Sequence, residues 1–239
     1  MPGLTVLLDH VAGLRDQMQS ASPDPVAVAV LSQLAGADGI GIHLDENRSP
    51  ALERDVRLLR QTVHCRLVLA MPPDSPMMGL ALDVKPERVV LLPETELNGP
   101  INYEWDLASD AQPLFETVDT LRTNGISVCI CIAPDPQQAK AARQIGANWV
   151  RINAVGLKTA ESADVQTREL NRIVDTIKMT SKLRLRTAVG GGLDFQLIKM
   201  FRGVSEIDEF SMGRSLIAKA VMVGMDSAVR EMVQLIRDL

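Results

Sequence analysis

The sequence is short of aromatic residues, of cysteine and of long apolar runs. Aromatic side chains make up 3% of the 239 residues, so a hydrophobic core must be built mainly from Val, Leu, Ile and Ala. The three cysteines include Cys129 and Cys131, which lie too close along one apolar stretch for an easy disulfide. This pattern is typical of reduced, buried cysteines and predicts a cytoplasmic protein. No apolar run approaches the roughly 18 residues of a membrane helix, and we expect no signal peptide.

The charge pattern excludes two classes of partner. The formal net charge is −5, and the sequence contains no long basic run. Nucleic acids and anionic membranes are bound mainly through clustered Lys and Arg, so we expect neither as a partner. Hydrophobic residues make up 46% of the chain, which is enough for a sizeable core in a single domain spanning residues 1–239.

What the sequence does contain is a regular alternation of short β-branched runs with segments of helical periodicity. Most of the runs end in a polar or glycine-rich tip. The alternation predicts an α/β protein, a closed (β/α)8 TIM barrel, with an extra C-terminal helix at 226–238. The predicted strands are 4–10, 39–44, 66–71, 88–93, 127–134, 149–154, 183–192 and 207–213.

Local signals predict several boundaries. Pro25, with Asp24 as its N-cap, predicts the start of the first helix after a polar loop at 15–24. The first strand is expected to run through Asp9 and His10, so that only one of these two side chains points into the barrel. In the next helix, four charged residues are interpreted as its solvated side: Arg54, Asp55, Arg57 and Arg60.

Two glycine-bearing tips predict a phosphate site. They are residues 190–192 after the seventh strand and Gly213 after the eighth. In many barrels of this class, these neighbouring loops and a following helix N-terminus hold a phosphate, because glycine lets the backbone N–H groups approach the anion. Arg214 adds a positive charge at the same place. We therefore expect phosphate to be bound by Gly190, Gly191, Gly192, Gly213 and Arg214.

Three further features bear on the chemistry of the strand ends. His10 and His43 have no third ligand at a suitable spacing, so we expect no metal. Within the strands, either Arg151 or Arg186 could place a positive charge inside the barrel. The irregular segment 94–107 is interpreted as either a lid or an oligomer contact.

The sequence as a whole resembles the pyridoxine 5′-phosphate synthase family. The likeness covers nearly the whole chain and is carried by seven segments: LLDHVAGLR (7–15), PDPVAVA (23–29), AGADGIGIHL (35–44), RDVRLLRQT (54–62), LLPE (91–94), GGGL (190–193) and MGRSLIAKAVMVGMDSAVREM (212–232). The resemblance implies a (β/α)8 barrel that assembles into octamers. It implies condensation of 1-deoxy-D-xylulose 5-phosphate with 3-amino-2-oxopropyl phosphate, without a metal or organic cofactor.

Part of the family's catalytic apparatus has a counterpart here. The resemblance implies that Asp9 and His10 contact substrate and that His43 is a general base, a role suited to an imidazole. It also implies a substrate contact for Glu94. Phosphate-binding backbone positions of the family match Gly192 and Gly213.

Other parts of that apparatus are replaced. Ala70 stands where the family has a catalytic glutamate, and Gly191 stands where it has a proton-donor histidine. Leu7 replaces a substrate-binding asparagine, and strand 6 reads Arg151-Ile-Asn153 where the family has Glu-Ile-His. Residues that hold the second phosphate are replaced by Asp45, Pro50 and Met18.

These losses predict a diverged paralogue that binds a phosphorylated small molecule or inorganic phosphate, with ring-closing activity lost or altered. Loss of one general acid or base typically costs about 10²–10⁴-fold in rate. Two alternatives stay open. The chain could be a genuine synthase with a rearranged site, or a non-catalytic partner that assembles with an authentic synthase. In each case we expect an oligomer.

Overall fold

The structure, a computed structural model, describes residues 1–44, 52–73, 76–93, 104–108, 111–112 and 114–239, with only the backbone of Leu52. Glu94, Asp45, Pro50 and most of segment 94–107 lie outside the described residues. Within them, no helix has the length and apolar character needed to cross a membrane.

Eight parallel strands close into a barrel in the order in which they occur along the chain. This confirms the predicted (β/α)8 fold. The strands are β1 (Gly3–Leu7), β2 (Gly39–His43), β3 (Arg66–Met71), β4 (Arg88–Leu91), β5 (Ser127–Ile132), β6 (Trp149–Asn153), β7 (Arg186–Gly190) and β8 (Glu209–Met212). Their register places His43 beside Ala70 and Asn153 beside Gly190.

Helices surround the barrel and carry the main hydrophobic core between their inner faces and the outer faces of the strands. They are α1 (Asp9–Gln17), α2 (Pro25–Leu34), α3 (Leu52–Thr62), α4 (Met78–Val84), α5 (Leu114–Thr123), α6 (Pro136–Ile145), α7 (Val155–Thr159), α8 (Ala163–Lys182), α9 (Arg214–Val223) and α10 (Met225–Arg237). The last of these is the predicted extra C-terminal helix. A 3-10 helix, Leu197–Phe201, replaces the helix expected after β7.

The predicted end of the first strand and the predicted loop at 15–24 are both wrong, because an unpredicted helix overlaps both. The first strand ends at Leu7, and Asp9 and His10 begin α1, which occupies part of the predicted loop. Helix α1 packs Arg15 against α3, where its guanidinium forms a 2.8 Å ion pair with the fully buried Asp55. Asp55 therefore does not belong to the solvated side of α3, because an unpredicted helix covers it.

The start of α2 confirms the local prediction. The Asp24 carboxylate accepts a hydrogen bond from the Val26 N–H at 3.0 Å, and Pro25 occupies the first helical position. In the same way, Asp135 caps α6 by accepting from the Gln137 N–H at 2.8 Å.

The interior of the barrel is a separate, smaller core. Because side chains alternate along a strand, one set from each strand points inward. The inward apolar cluster comprises Val68, Val90, Leu92, Cys129, Cys131, Trp149 and Ala188. All three cysteines are free, as predicted, and burial raises the pKa of the Cys129 thiol to about 12.

Charged residues close the amino-terminal end of the barrel. The first residues of several strands meet there, with Glu209 fully buried between Arg88 and Arg66. The Arg66 guanidinium lies 3.2 Å from a Glu209 carboxylate oxygen. Arg88 stacks over the Trp149 ring at 4.2 Å, and Arg186 stacks over the same ring at 4.4 Å.

Candidate ligand site at the carboxyl ends of the strands

A cavity of about 940 Å³ opens at the carboxyl-terminal mouth of the barrel. Its volume is in the range of small-molecule sites, and its position is the one at which barrels of this class carry their chemistry. Of the predicted site residues, the cavity is lined by Asp9, His10, His43, Gly190, Gly191, Gly192, Gly213 and Arg214. Glu94 lies outside the described residues.

The two adjacent residues at the start of α1 both line the cavity. The expectation that only one of them faces inward is wrong, because they lie in the first turn of a helix and not in a strand. The Asp9 carboxylate accepts a hydrogen bond from the backbone N–H of His43 at 2.7 Å and thereby links the start of α1 to the end of β2. This contact holds the Asp9 side chain against the His43 backbone.

His10 connects the first strand end with the last. Its Nε2 accepts a hydrogen bond from the Arg214 Nε–H at 3.1 Å. Partial desolvation and the nearby positive charge of Arg214 lower the pKa of His10, against the opposing effect of Asp9. His10 is therefore a neutral acceptor at pH 7.

The glycine loop after β7 has a backbone that a larger residue could not adopt. Gly191 has φ +91°, and a Cβ added there would stand 2.3 Å from the Asn153 Oδ1. Gly192 has φ +71° and lies against the Lys158 side chain. No imidazole can occupy position 191 while Asn153 keeps its place. The loop instead presents bare backbone to the cavity.

Helix α9 begins directly beside this loop. Its N-cap, Gly213, provides no side-chain hydrogen bond to the first turn. The Ser215 hydroxyl donates to the Leu193 carbonyl at 2.8 Å and holds the helix start against the glycine loop. The N–H groups of the first turn and the helix dipole therefore point towards the same part of the mouth, an arrangement that suits an anion.

Two cations flank the glycine loop and the start of α9. Lys158 and Arg214 both line the cavity, and among the described residues neither forms an ion pair with a carboxylate. A third, Lys219, is bound to Glu231 at 3.0 Å and lies 5.2 Å from the Phe195 ring. Lys158 was not predicted, because it follows β6 in a short helix that carries no phosphate-binding motif.

A further cation lies deeper in the barrel. Arg151 is on the inward face of β6 and lines the cavity, whereas Arg186 belongs to the opposite end, where it binds Asp208 at 3.0 Å. Arg151 lies opposite Cys131 on the neighbouring strand β5. Burial raises the pKa of the Cys131 thiol, and the charge of Arg151 only partly opposes that rise. The thiol is therefore neutral at pH 7.

Asn153 and Glu104 form a polar pair at the rim. The Asn153 Nδ2 donates to a Glu104 carboxylate oxygen at 2.9 Å, and its Oδ1 accepts from the Val155 N–H at 3.2 Å. Trp105 anchors this segment, since it bridges to Ile132 and donates its indole N–H to the Leu91 carbonyl at 3.2 Å. Glu104 was missed by the sequence analysis because no local motif places an irregular segment across the barrel.

The wall formed by β1, β3 and β4 has a different character. Its residues at the cavity are apolar except for Thr5 on β1, and they include Leu7, Val68, Ala70, Val90 and Leu92. Most polar side chains of the cavity floor come from β5, β6 and β8, namely Cys131, Arg151, Asn153 and Ser211. In the described part of the chain, no cluster of His, Cys, Asp and Glu could hold a metal ion.

The fold and the cavity together define a (β/α)8-barrel protein with a cavity of small-molecule size at the carboxyl ends of its strands. The same fold is present in two solved structures of low identity. KGPDC from Streptococcus mutans has a TM-score of 0.67 and 16% identity, and the match covers 99% of this chain and 98% of that one. For a 3-hexulose-6-phosphate synthase the TM-score is 0.67 and the identity 13%, with 98% and 99% covered.

Sequence comparison assigns the family. The model of the pyridoxal phosphate biosynthesis protein PdxJ matches residues 4–238. The pyridoxine 5′-phosphate synthase of Desulforapulum autotrophicum is 41% identical over 239 residues, covering 100% of both chains. That of Geobacter metallireducens is 40% identical over 237 residues, covering 99% of both. The chain belongs to the PdxJ family, which confirms the resemblance found in the sequence.

Proposed function

We propose that this protein binds a phosphorylated small molecule at the mouth of the barrel and does not perform the ring-closing condensation at the rate of an ordinary synthase. The observation that carries the proposal is the contrast within the cavity. Its β6–β8 side offers glycine backbone, a helix start and cations, whereas its β1, β3 and β4 wall is apolar except for Thr5.

The binding half of the proposal rests on complementarity to a phosphate. The glycine loop, the first turn of α9 and the Arg214 side chain converge on one region, and Lys158 lies beside it. Backbone N–H groups at a helix start bind phosphate without a side chain, and Arg adds a charge-assisted hydrogen bond. Apart from Lys158, these are the groups for which the sequence predicts phosphate binding.

The catalytic half of the proposal rests on two positions. If the family's glutamate and histidine correspond to Ala70 and Gly191, as the resemblance implies, both proton-handling groups are absent. Ala70 presents a methyl group to the cavity beside His43, and Gly191 has no room for a side chain. His43 and Asp9 remain as acid–base groups, but one such pair does not replace the lost groups.

A genuine synthase is the second candidate, and two observations favour it. The chain is about 40% identical to named synthases over its full length. The structure also brings Glu104 to the rim beside Asn153, so that a carboxylate is present near the cavity although Ala70 supplies none. In this case Glu104 takes the place of the missing glutamate.

A steady-state assay separates the two candidates. The rate of product formation from 1-deoxy-D-xylulose 5-phosphate and 3-amino-2-oxopropyl phosphate is measured for this protein and for the Geobacter metallireducens enzyme under the same conditions. We expect a rate about 10²-fold or more below that enzyme. A rate within about tenfold of that enzyme would establish the second candidate. In that case, loss of activity in Glu104→Gln would identify Glu104 as the catalytic carboxylate. Glu116→Gln, an exposed control on α5, should keep the activity.

Binding is tested independently of turnover. Inorganic phosphate and pyridoxine 5′-phosphate should each raise the unfolding temperature with the logarithmic concentration dependence of a ligand that binds the native state. A flat response to both would contradict the proposed phosphate site. The expected homo-oligomer and the alternative of assembly with an authentic synthase stay predictions, and light scattering of the protein alone and mixed with a synthase tests them.

A further inference from the structure

Arg151 differs from Arg15 and Arg88, the buried arginines among the described residues. Those two are 7% and 3% exposed, and each has a carboxylate partner, Asp55 and Glu209 respectively. Arg151 is half-buried and lines the cavity inside the barrel, and among the described residues no carboxylate forms an ion pair with it. It lies opposite Cys131 on β5, and burial keeps that thiol neutral.

A partly dehydrated cation that lines a cavity attracts an anion, because such a pair is screened less than one in open water. Three carboxylates of the described chain are near the mouth. Asp9 accepts the His43 N–H, Glu104 accepts the Asn153 amide, and Asp194 accepts the Gln196 and Leu197 N–H groups. Among the described residues none of them forms an ion pair with Arg151, so its guanidinium is available to an anion that enters the cavity.

Arg151 also lies close to the proposed phosphate site. Its Cδ lies 3.4 Å from where a Cβ on Gly190 would stand, and Gly190 begins the glycine loop. Arg151 is also two residues before Asn153 on β6, which places it about 7 Å deeper in the barrel than Asn153 at the rim. A short ligand whose phosphate occupies the glycine loop therefore directs its other end towards the guanidinium.

The chemistry at this depth favours a carboxylate over a second phosphate. A guanidinium presents two parallel N–H donors that match the two oxygens of a carboxylate. Arg151 contributes a single positive charge, and the groups around it are the neutral Cys131 thiol, Ser211 and, farther off, the Asp9 carboxylate. A monoanion neutralises that charge, whereas a phosphate dianion would leave excess negative charge close to Asp9.

We propose that Arg151 binds a carboxylate of the ligand, so that the cavity selects a short-chain phosphorylated carboxylic acid. This inference rests on the proposed phosphate site and adds the second recognition group to it. Arg151 is then the residue that determines specificity, and Ala70 with the apolar wall beside it contacts the carbon chain.

Two probes that differ in one group test the inference. 3-Phosphoglycerate and glycerol 3-phosphate share a phosphate and a carbon chain, and only the former has a carboxylate. Calorimetric titration of the full-length protein should give a dissociation constant about tenfold or more lower for 3-phosphoglycerate, as expected for one charge-assisted pair. 1,3-Propanediol bisphosphate, which has two phosphates and no carboxylate, should bind more weakly than 3-phosphoglycerate.

Variants assign the preference to one side chain. Arg151→Gln should reduce the preference for 3-phosphoglycerate to within about twofold, while glycerol 3-phosphate still binds. Arg151→Lys keeps the charge but loses the paired donors, and it should retain part of the preference. Arg186→Gln, which alters an arginine at the opposite end of the barrel, should leave it unchanged. A thermal melt of each variant establishes that it is folded.

The outcomes are distinct. Equal affinity for 3-phosphoglycerate and glycerol 3-phosphate in the wild type overturns the carboxylate assignment and leaves the phosphate site standing. Tighter binding of the bisphosphate also overturns it, because the second group is then a phosphate. A preference that persists in folded Arg151→Gln assigns the contact elsewhere and overturns the role of Arg151. If no probe binds, the proposed function fails, and this inference fails with it.

Discussion

The two ends of the barrel interior use the same residue types in opposite ways. At the amino-terminal end, Arg88 and Arg66 share the buried Glu209, and the Trp149 ring is covered by two guanidinium groups. Each of these arginines has a partner supplied by the chain. At the carboxyl-terminal end, Arg151 lines the cavity, and no carboxylate among the described residues forms an ion pair with it.

The difference shows how a barrel separates stability from binding. Paired charges at the closed end hold strands together, and removing one partner exposes the other to the full cost of desolvation. The cations at the open end are half-buried or exposed and line the cavity, so they can bind an anion that arrives through the mouth. The same distinction separates structural from functional residues in barrels generally.

The largest effect should come from the closed end. Glu209→Gln leaves Arg88 buried without an anion, and we expect a loss of about 3 kcal/mol or more in the free energy of unfolding. Urea denaturation measures it. Glu169→Gln, which makes the same change in a largely exposed pair with Arg172, should cost less than about 1 kcal/mol. Comparable losses in the two variants would contradict the structural role of Glu209.

At the open end, the strongest stability effect should come from the backbone. Gly191→Ala places a Cβ 2.3 Å from the Asn153 Oδ1 at a positive φ, and we expect it to cost about 1–3 kcal/mol. Gly79→Ala adds a methyl group in α4 with no atom within 4 Å. This control should instead stabilise by about 0.4–1 kcal/mol. Equal stability of the two variants in urea would show that the glycine loop is not strained in the way described.

A smaller effect is expected from the cation beside the helix start. Arg214→Gln removes a charge-assisted hydrogen bond to phosphate, so the dissociation constant for inorganic phosphate should rise about tenfold. Arg143→Gln, an exposed arginine on α6, should leave phosphate affinity within about twofold. Titration calorimetry at constant salt makes the comparison, and an unchanged affinity in Arg214→Gln would remove this residue from the phosphate site.

The smallest effect concerns pH. Partial desolvation and Arg214 lower the pKa of His10 below its usual 6.5. The folded protein therefore binds fewer protons than the unfolded chain as the pH falls below that value. The contribution of His10 to stability is complete above pH 6.5 and is lost as the pH falls through the pKa of the folded state. NMR titration of the three histidines should show His10 titrating below 6.5, and Arg214→Gln should raise its pKa.

The fold could be predicted from the sequence because each strand is a local pattern. The β-branched runs define where the strands lie, and Asp24 with Pro25 defines the start of α2 without reference to the rest of the chain. The glycines at the tips of β7 and β8 could be predicted as site residues because they too form local sequence patterns.

The parts that could not be predicted depend on contacts between distant residues. Helix α1 has a short apolar face, and it is held by Asp9 against the His43 N–H and by Arg15 against Asp55. Glu104 reaches the rim because Trp105 bridges to Ile132. None of these pairings leaves a periodic signal. Arg151 was one of two candidates for a charge inside the barrel, and only the closed geometry separates it from Arg186.

A crystal grown with tungstate tests the account most directly, because anomalous scattering locates this phosphate analogue without ambiguity. The account predicts a peak within hydrogen-bond distance of the backbone N–H groups of the glycine loop and the first turn of α9, beside Arg214. A mouth without a peak, in crystals that hold tungstate elsewhere on the protein, would contradict the assignment of the open end as an anion site.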